Sequence, residues 1–315
     1  MSLVINHNLM AMNANRNLAM AYNSLSTSTS RLSSGLRVTG AADDAAGLAI
    51  RELMRADIAS LNQGVRNAND AISLIQTADG ALQVIDEKLI RMKELAEQAA
   101  TGTYNSDQRL IIDSEYQAMA SEITRIANAT DFNGIHLLNG NLSSKDAAVA
   151  KWGESHDGSK LEAKGPLKVH FGSGNDSAED YYYIAISNST ASALGVGNSA
   201  DTKSDGYSIS TQQGAQKALD AINRAITSKD NIRANLGALQ NRLENTITNL
   251  QIQAENMQAA ESRISDVDVA TEMTNFVRNQ ILTQSAVAML SQANSLPQMA
   301  VGRSEERRVG KECRS

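Results

Sequence analysis

Histidine pairs and glycine clusters are the residues of this chain whose types could support catalysis or cofactor binding. His156 and His170 lack the spacing of the H-E-x-x-H zinc motif, in which both histidines share one helical face. Gly172 and Gly174 lack the strand–turn–helix pattern of a dinucleotide loop, so a turn or a bulge is the better interpretation. No phosphate-binding Walker A pattern occurs. We therefore predict that the protein is not an enzyme and holds no cofactor or metal.

A pair of acidic residues near the end of the chain has the spacing that begins a calcium loop. Asp266 and Asp268 are two residues apart, but the glycine and the final glutamate of such a loop are missing. Carboxylates are favourable at the start of a helix, where unpaired backbone N–H groups carry partial positive charge. We therefore interpret this pair as charge at a helix start.

One group of residues indicates a binding surface. Arg91 and Leu95 are four residues apart, so they share a face of a predicted helix. Glu115 lies on the following predicted helix, which is expected to run back alongside. A solvated face that contacts another subunit explains the same pattern, and residue physics alone favours that simpler explanation.

Arg91 and Leu95 lie on the second of two long amphipathic segments at the N-terminal end. The first is predicted to end at Gly35, where a left-handed cap residue costs least. Asp43 and Asp44 then mark the start of a second helix, which is expected to stop near Thr101 and Gly102. The first seam alternates steps of four and three residues: Leu18, Tyr22, Leu25, Thr29, Leu32 and Leu36. The second seam has the same spacing: Met54, Ile58, Leu61, Val65, Ala68, Ile72 and Ile75.

The remaining elements follow from turn signals and periodicity. Asn105 or Ser106 is predicted to cap a third helix that runs to about Asn128. Turn residues at 132–134 and 139–140 then begin a segment rich in Gly, Ser, Asp and Asn. A β-hairpin is predicted from two β-forming runs, Leu167–Phe171 and Tyr181–Ser187. Residues 143–165 are predicted to form a surface loop.

Helical periodicity returns near Gln212 and predicts two more helices. The first of them carries a long apolar seam: Ile232, Leu236, Leu239, Leu243, Ile247, Leu250, Ala254 and Met257. The last helix is predicted from about Val267 to Asn294, and its seam is more polar because it includes Gln280 and Thr283. Such seams bury little on their own, so these helices are expected to need partners.

Composition supports a helical fold and excludes several function classes. Aromatic residues are 3% of the chain against 42% hydrophobic residues, which suits thin cores of Ala, Leu and Ile between long helices. The fold class is therefore predicted as mainly α: an elongated bundle of long coiled-coil helices from both termini, with a small β-hairpin region in the middle. A net charge of −6 argues against nucleic-acid binding. The sequence contains no run of 18 apolar residues, so it predicts no membrane-spanning helix.

Several stretches of the chain resemble bacterial flagellins, the subunits of the flagellar filament. They are RLSSGLRVTGAADDAAGLAI at 31–50, FNGIHLLNG at 132–140, LGALQNRLENTI at 236–247, SRISDVDVATE at 262–272 and QANSLPQMA at 292–300. Their order makes the resemblance specific, and it runs from Val4 to about Ala300. The resemblance implies one helical core built from both termini and an outward-facing variable insert, which is short here.

The resemblance also implies an architecture of segments. An N-terminal inner-tube helix (1–42) precedes an N-terminal helical core (43–142) and a short variable or β-hairpin region (143–210). A C-terminal core (211–264) and a C-terminal inner-tube helix (265–300) follow. The seam residues expected to act in assembly are Leu18, Leu25, Leu32, Phe276, Val287 and Leu290.

Partners and location follow from the same resemblance. Flagellins leave the cell unfolded through the flagellar type III apparatus, which fits an N-terminus without the features of a cleaved secretory signal. The expected partners are further copies in a helical filament, a flagellar export chaperone, and the hook-associated junction and cap proteins. The filament is extracellular. A hook–filament junction protein and a secreted coiled-coil scaffold are the alternatives.

Two further expectations concern particular residues. Arg91, Leu95 and Glu115 match the positions by which flagellins of many bacteria engage host Toll-like receptor 5, so the resemblance implies a receptor site there. Residues 301–315, in contrast, depart from the family pattern. We interpret them as a cloning, sequencing or frame artefact, which leaves the last helical turn and chaperone binding open.

Overall fold

The computed structural model describes residues 8–143, 165–176, 179–197 and 207–312, with side chains as far as residue 295 and at Met299. The helices of these residues are α1 (Leu9–Ser34), α2 (Ala45–Ala100), α3 (Ser106–Ala129), α4 (Ala191–Leu194), α5 (Gln212–Ser265) and α6 (Val269–Glu312). The strands are β1 (Asp131–Phe132), β2 (Ile135–His136), β3 (Leu167–His170) and β4 (Tyr181–Ile184). The prediction of a mainly α fold is confirmed.

The chain forms two compact units. Unit 1 combines residues 1–56 with 256–315, and unit 2 consists of residues 57–255. No helix among the described residues is long and apolar enough to cross a membrane. Unit 1 contains α1 and α6, and unit 2 contains α3, α4 and all four strands.

Unit 2 has a continuous apolar core that α2, α3 and α5 supply at helical spacing. Each fully buried aliphatic side chain stabilises the fold by about 1.5–3 kcal/mol relative to exposure. The short strands and the segments beside them add further buried residues. Core residues from the three helices are Leu82, Ile85, Leu89, Met92, Tyr116, Ile123, Ile222, Leu236 and Leu243.

Capping residues fix the ends of these helices, and the sequence predicted most of them. Gly35 ends α1 with φ 71°, and its N–H donates to the Arg31 carbonyl. Asn105 begins α3 with a capping box that it shares with Gln108. At the start of α2, Asp44 accepts a hydrogen bond from the Gly47 N–H. Asp43 does not cap α2, because its carboxylate instead accepts from Thr39 and Gly40.

The strands form two antiparallel hairpins, each where the sequence predicted turns or β-forming runs. β1 and β2 flank Asn133 and Gly134, both with positive φ. In the second hairpin, Leu167 of β3 pairs with Ile184 of β4. The backbone of this hairpin lies directly on α2, because Gly64 has no side chain to hold it away. Helix α4 was not predicted, and the proposed loop at 143–165 lies largely outside the described residues.

A buried ion pair interrupts the apolar core of unit 2. The Lys229 Nζ atom of α5 lies 2.6 Å from Asp86 of α2 and 2.7 Å from Asp230, and the lysine side chain is almost fully buried. One turn further, Arg233 donates two hydrogen bonds to Asp79. Charged pairs of this kind add little net stability, but an uncompensated buried charge is costly, so they favour one register of α2 against α5.

Candidate functional site

Helices α1 and α6 form an antiparallel pair in unit 1. At one end, the Asn8 side chain caps α1 by accepting from the Ala11 N–H and donates to the Ala293 carbonyl oxygen at 2.7 Å. At the other end, Leu36 forms an antiparallel bridge with Asp266. The predicted adjacency of the two chain ends is therefore present in the structure.

The turn after α1 is fixed to the junction between α5 and α6. The Arg37 N–H donates to the Ser265 carbonyl at 2.6 Å, and the Val267 N–H donates to the Gly35 carbonyl at 3.0 Å. Asp268 begins α6 and accepts hydrogen bonds from the Thr271 hydroxyl and the Ala270 N–H. The pKa of Asp268 is lowered mainly by the hydrogen bond from the Thr271 hydroxyl, and further by the backbone N–H groups of Thr271 and Ala270. The interpretation as helix-start charge is confirmed for Asp268, whereas the Asp266 carboxylate accepts from the Ser262 and Ser265 hydroxyls.

The seam between α1 and α6 is thin. Among the predicted assembly residues, five are only half-buried: Leu18, Leu25, Leu32, Phe276 and Leu290. Val287 is 52% exposed and lies outside the seam. The predicted seam positions Tyr22 and Thr29 are wrong, because both side chains are exposed and Ala21 and Ser28 take their places. The small residues allow close approach of the helices but bury little apolar area.

Both helices consequently leave large apolar side chains uncovered. Of 21 exposed large apolar side chains among the described residues, 13 lie on α1 or α6. A groove of about 660 Å³ runs along the pair and is lined by methionines and leucine beside small polar residues. A second groove of about 450 Å³ lies beside Tyr22 and Val287. Exposed apolar side chains concentrated on one pair of helices indicate an interaction site.

The second candidate surface lies on α2 and α3, around Arg91. The Arg91 Nε and Nη2 atoms lie 3.1 Å and 2.9 Å from Glu115 Oε1, and Nη1 lies 2.9 Å from Glu94 Oε2. All three side chains are exposed. Hydrogen bonds to Glu94 and then to Glu115 raise the pKa of Arg91. Arg91 and Glu115 are therefore brought together, as predicted.

Leu95 does not lie on this surface. Its side chain is 1% exposed and belongs to the core of unit 2. The expectation that Leu95 shares an exposed face with Arg91 is wrong, because the buried stripe of α2 continues from Leu89 and Met92 through Leu95. The sequence contained this signal, since three-residue steps connect these positions.

An apolar residue that the sequence analysis missed lies beside Glu115. Ile111 precedes Glu115 by one helical turn and is 70% exposed. The next residue, Ile112, packs against the core, and so the adjacent Leu110 and Ile111 cannot share that face. A run of three apolar residues on a helix with one buried stripe is the signal that could have found it. Arg91, Glu94, Glu115 and Ile111 together are named the arginine surface below.

The histidine and glycine motifs are the remaining candidates, and His156 lies outside the described residues. Within the described ranges, no group of three or more metal-ligating side chains could hold an ion. Gly172 lies in the loop between β3 and β4, where its N–H donates to the Asp180 carbonyl at 3.0 Å. The Phe171 N–H donates to the same carbonyl, and a Cβ atom at Gly172 would overlap Asp180, so this glycine permits a close backbone approach, which agrees with the interpretation as a turn or bulge.

Comparisons with known proteins match both ends of the chain. The bacterial flagellin N-terminal helical region matches residues 5–143, and the C-terminal helical region matches residues 219–302. Flagellin FlaB1 of Treponema pallidum is 40% identical over 296 residues, covering 94% of this chain and 98% of that protein. Flagellin of Bacillus subtilis is 41% identical over 298 residues, covering 93% and 97%.

A solved structure is also similar. The crystal structure of Bacillus cereus flagellin is 27% identical, covers 62% of this chain and 94% of that one, and gives a TM-score of 0.44. Flagellins are structural subunits of the flagellar filament and are not enzymes. Family matches at both ends and relatives of about 40% identity over nearly the whole length establish that this chain belongs to the bacterial flagellin family.

Proposed function

We propose that this filament subunit polymerises through the apolar side chains that α1 and α6 leave uncovered. The observation that carries the proposal is their concentration on these two helices, where 13 of the 21 exposed large apolar residues lie. Each such side chain gains about 1.5–3 kcal/mol when it is fully buried against a partner. The pair thus has more to gain from further copies than from its own thin seam.

The two helices present different surfaces, which favours an open polymer. On α1 the exposed apolar residues include Met12 and Tyr22, and on α6 they include Ile281 and Val287. Contacts between unlike patches of identical subunits repeat without closing, and they generate helical filaments. Hook-associated junction and cap proteins are proposed to meet the same exposed helices at the two ends of the filament.

Electron microscopy of concentrated protein, with critical concentration measured by sedimentation, tests this proposal. Val287→Asp places a charge on the exposed face of α6 and is expected to raise the critical concentration at least tenfold, since burying an unpaired charge is costly. Val84→Asp is the matched control, because Val84 is an exposed valine on α2 in unit 2. Equal filament formation by both variants would show that α6 does not carry assembly.

Export through the flagellar type III apparatus, and so secretion, is proposed for the chain before it assembles. Membership of the flagellin family supports this route. The thin seam of α1 and α6 also supports it, because a pair held by few buried residues separates at low cost. The exposed face of α6 is the surface that we expect a flagellar export chaperone to cover before export, and so prevent early polymerisation.

Recognition by host Toll-like receptor 5 is proposed at the arginine surface. Exposure of Arg91 and Glu115 supports the proposal, and Ile111 supplies an apolar neighbour that Leu95 does not. Leu95 contributes indirectly, because its side chain packs in the core of unit 2 and fixes the position of α2. An arginine with two carboxylate partners and an exposed isoleucine beside it has the composition of an interface anchor.

A further inference from the structure

Methionines are segregated in this protein. The sequence contains 11 of them, and six are exposed in the described residues: Met10, Met12, Met20, Met273, Met289 and Met299. All six lie on α1 or α6. The other four described methionines lie elsewhere, and none of them is exposed: Met54, Met92, Met119 and Met257.

We propose that these six exposed methionines form a reversible oxidation site that blocks polymerisation of the free subunit. The inference rests on the proposed role of α1 and α6 in assembly. Met10, Met20 and Met289 line one groove of the pair, so they lie where a neighbouring subunit would pack. An unbranched thioether adapts to an irregular partner surface, which explains its use there.

The chemistry is a two-electron oxygen transfer. Hydrogen peroxide gives one oxygen atom to the methionine sulfur: the O–O bond breaks, an S=O bond forms, and the second oxygen leaves as water. Sulfur is oxidised and peroxide is reduced. Methionine sulfoxide reductase reverses the change with two thiols, which become a disulfide while the oxygen leaves as water.

Oxidation changes the assembly surface and leaves the core of unit 2 intact. The sulfoxide is a polar group, and burying it without a hydrogen-bond donor lowers an association constant by about tenfold or more. Met92, which packs in that core, is fully buried and so shielded from peroxide. Selectivity therefore arises from position, because the six exposed methionines coincide with the surface that is buried between subunits in a filament.

The test uses full-length protein with Cys313→Ser, so that no thiol competes for hydrogen peroxide. Monomer is treated with peroxide, quenched with catalase and concentrated, and sulfoxides are located by peptide mass spectrometry. We expect oxidation at the six exposed methionines, little at Met92, and a critical concentration raised at least tenfold. Treatment with both methionine sulfoxide reductases, one for each sulfoxide epimer, is expected to restore polymerisation to within twofold of untreated protein. Filaments treated in the same way are expected to resist oxidation at Met20 and Met289.

A variant with leucine at all six positions is expected to polymerise with or without peroxide. If this variant does not polymerise at all, recovery of the oxidised wild type by the reductase decides the question. Unchanged polymerisation of fully oxidised protein would overturn the inference and leave the role of α1 and α6 intact. Polymerisation that does not recover after the sulfoxides have been reduced would also overturn the inference. Failure of the assembly proposal is separate, because it is detected without peroxide by Val287→Asp.

Discussion

Arg91 shows how much a single residue of the arginine surface can offer to a partner. Three of its nitrogen atoms already donate to Glu94 and Glu115, which hold the guanidinium in one orientation. A guanidinium has five N–H donors, so two remain for a carbonyl or carboxylate of a receptor. Because its direction is fixed before binding, little side-chain entropy is lost on contact.

Arg91→Ala is expected to weaken binding of soluble subunit to Toll-like receptor 5 by about thirtyfold, which corresponds to about 2 kcal/mol at an interface centre. Arg91→Lys is expected to restore only part of the binding affinity, since the single ammonium group of lysine cannot reproduce the paired N–H donors of a guanidinium. Surface plasmon resonance after circular dichroism measures the change. Arg125→Ala is the matched control, because Arg125 is an exposed arginine of α3 paired with Glu122. Binding by Arg91→Ala within twofold of wild type would contradict the receptor assignment.

Asp268 predicts a pH dependence at the start of α6. Its pKa is lowered below the ordinary 3.8 by hydrogen bonds from Thr271, so the cap stabilises the folded state above pH 3.8. That contribution disappears as the pH falls through the lowered pKa. Hydrogen exchange of residues 269–274, corrected for intrinsic rates, should therefore lose protection in acid. Asp268→Asn keeps an acceptor without the titrating charge, and it is expected to lack this acid-dependent change; equal pH profiles would refute the capping role.

Predictions for single residues were correct where the local backbone sets the structure, as at helix ends. They were wrong where packing between elements sets which side chains are buried. Gly35 and Asn105 were predictable because a helix end needs a left-handed residue or a side-chain acceptor whatever surrounds it. Leu95 was misplaced because its four-residue spacing from Arg91 gives a shared face but not which stripe of α2 faces the core; only the three-residue steps from Leu89 and Met92 indicate that stripe. Ile111 was missed for a related reason: the run of three apolar residues indicates that one or more of them is exposed, and the position of the α3 stripe decides which.

At the scale of elements, the contact between the second hairpin and α2 depends on one glycine. Gly64 lies beneath Phe171, and a Cβ atom there would overlap the Phe171 carbonyl. The Asn67 side chain, one turn along α2, donates to the His170 carbonyl at 2.8 Å. The hairpin is thus held on the helix through its backbone, where sequence periodicity gives no signal.

Gly64→Ala is expected to destabilise unit 2 by about 1–3 kcal/mol, the usual cost of forcing extra volume into a packed contact. Gly80→Ala is the control: Gly80 lies on the same helix with open space around it, so a gain of about 0.5–1 kcal/mol is expected. Urea unfolding of the two variants measures both effects. A Gly64→Ala protein as stable as wild type would mean that the hairpin does not need this close approach.

Helix positions were predictable from periodicity, but the phase of a thin seam was not. α2 and α5 carry large aliphatic residues at regular steps, and their seams and ends agree with prediction. In α1 the seam consists of leucines separated by small residues, so Tyr22 and Thr29 fitted the pattern as well as Ala21 and Ser28. The partner helix selects the small residues because they permit closer approach. The last helix was expected to end at Asn294, yet α6 continues to Glu312.

At the scale of the whole molecule, assembly should change which parts of the chain are stable. α1 and α6 bury few residues within one subunit, while unit 2 has a complete core. Local opening is therefore expected in unit 1 first. Polymerisation would add the missing burial and remove this difference.

Trypsin is expected to cleave the monomer rapidly before residue 40 and after residue 265, and to cleave the filament there slowly. Arg16 of α1 and Arg278 of α6 are exposed sites in these segments. Arg125, exposed on α3, serves as the internal reference site. Time courses followed by mass spectrometry give the rates. Similar rates at Arg16 and Arg278 in monomer and filament would contradict assembly through these helices.

The hydrogen bond between Asn8 and Ala293 joins residues 285 positions apart. At a translation rate of about 5–20 residues per second, the first residues of α1 therefore wait roughly a quarter of a minute to a minute for their partner to be synthesised. Unit 2 is fully synthesised before that moment, since its last residue precedes the whole of α6 in the chain. The earliest segment to be made is thus among the last to find its native contact. The order of synthesis therefore leaves the apolar face of α1 without its intramolecular partner until nearly the whole chain has been made.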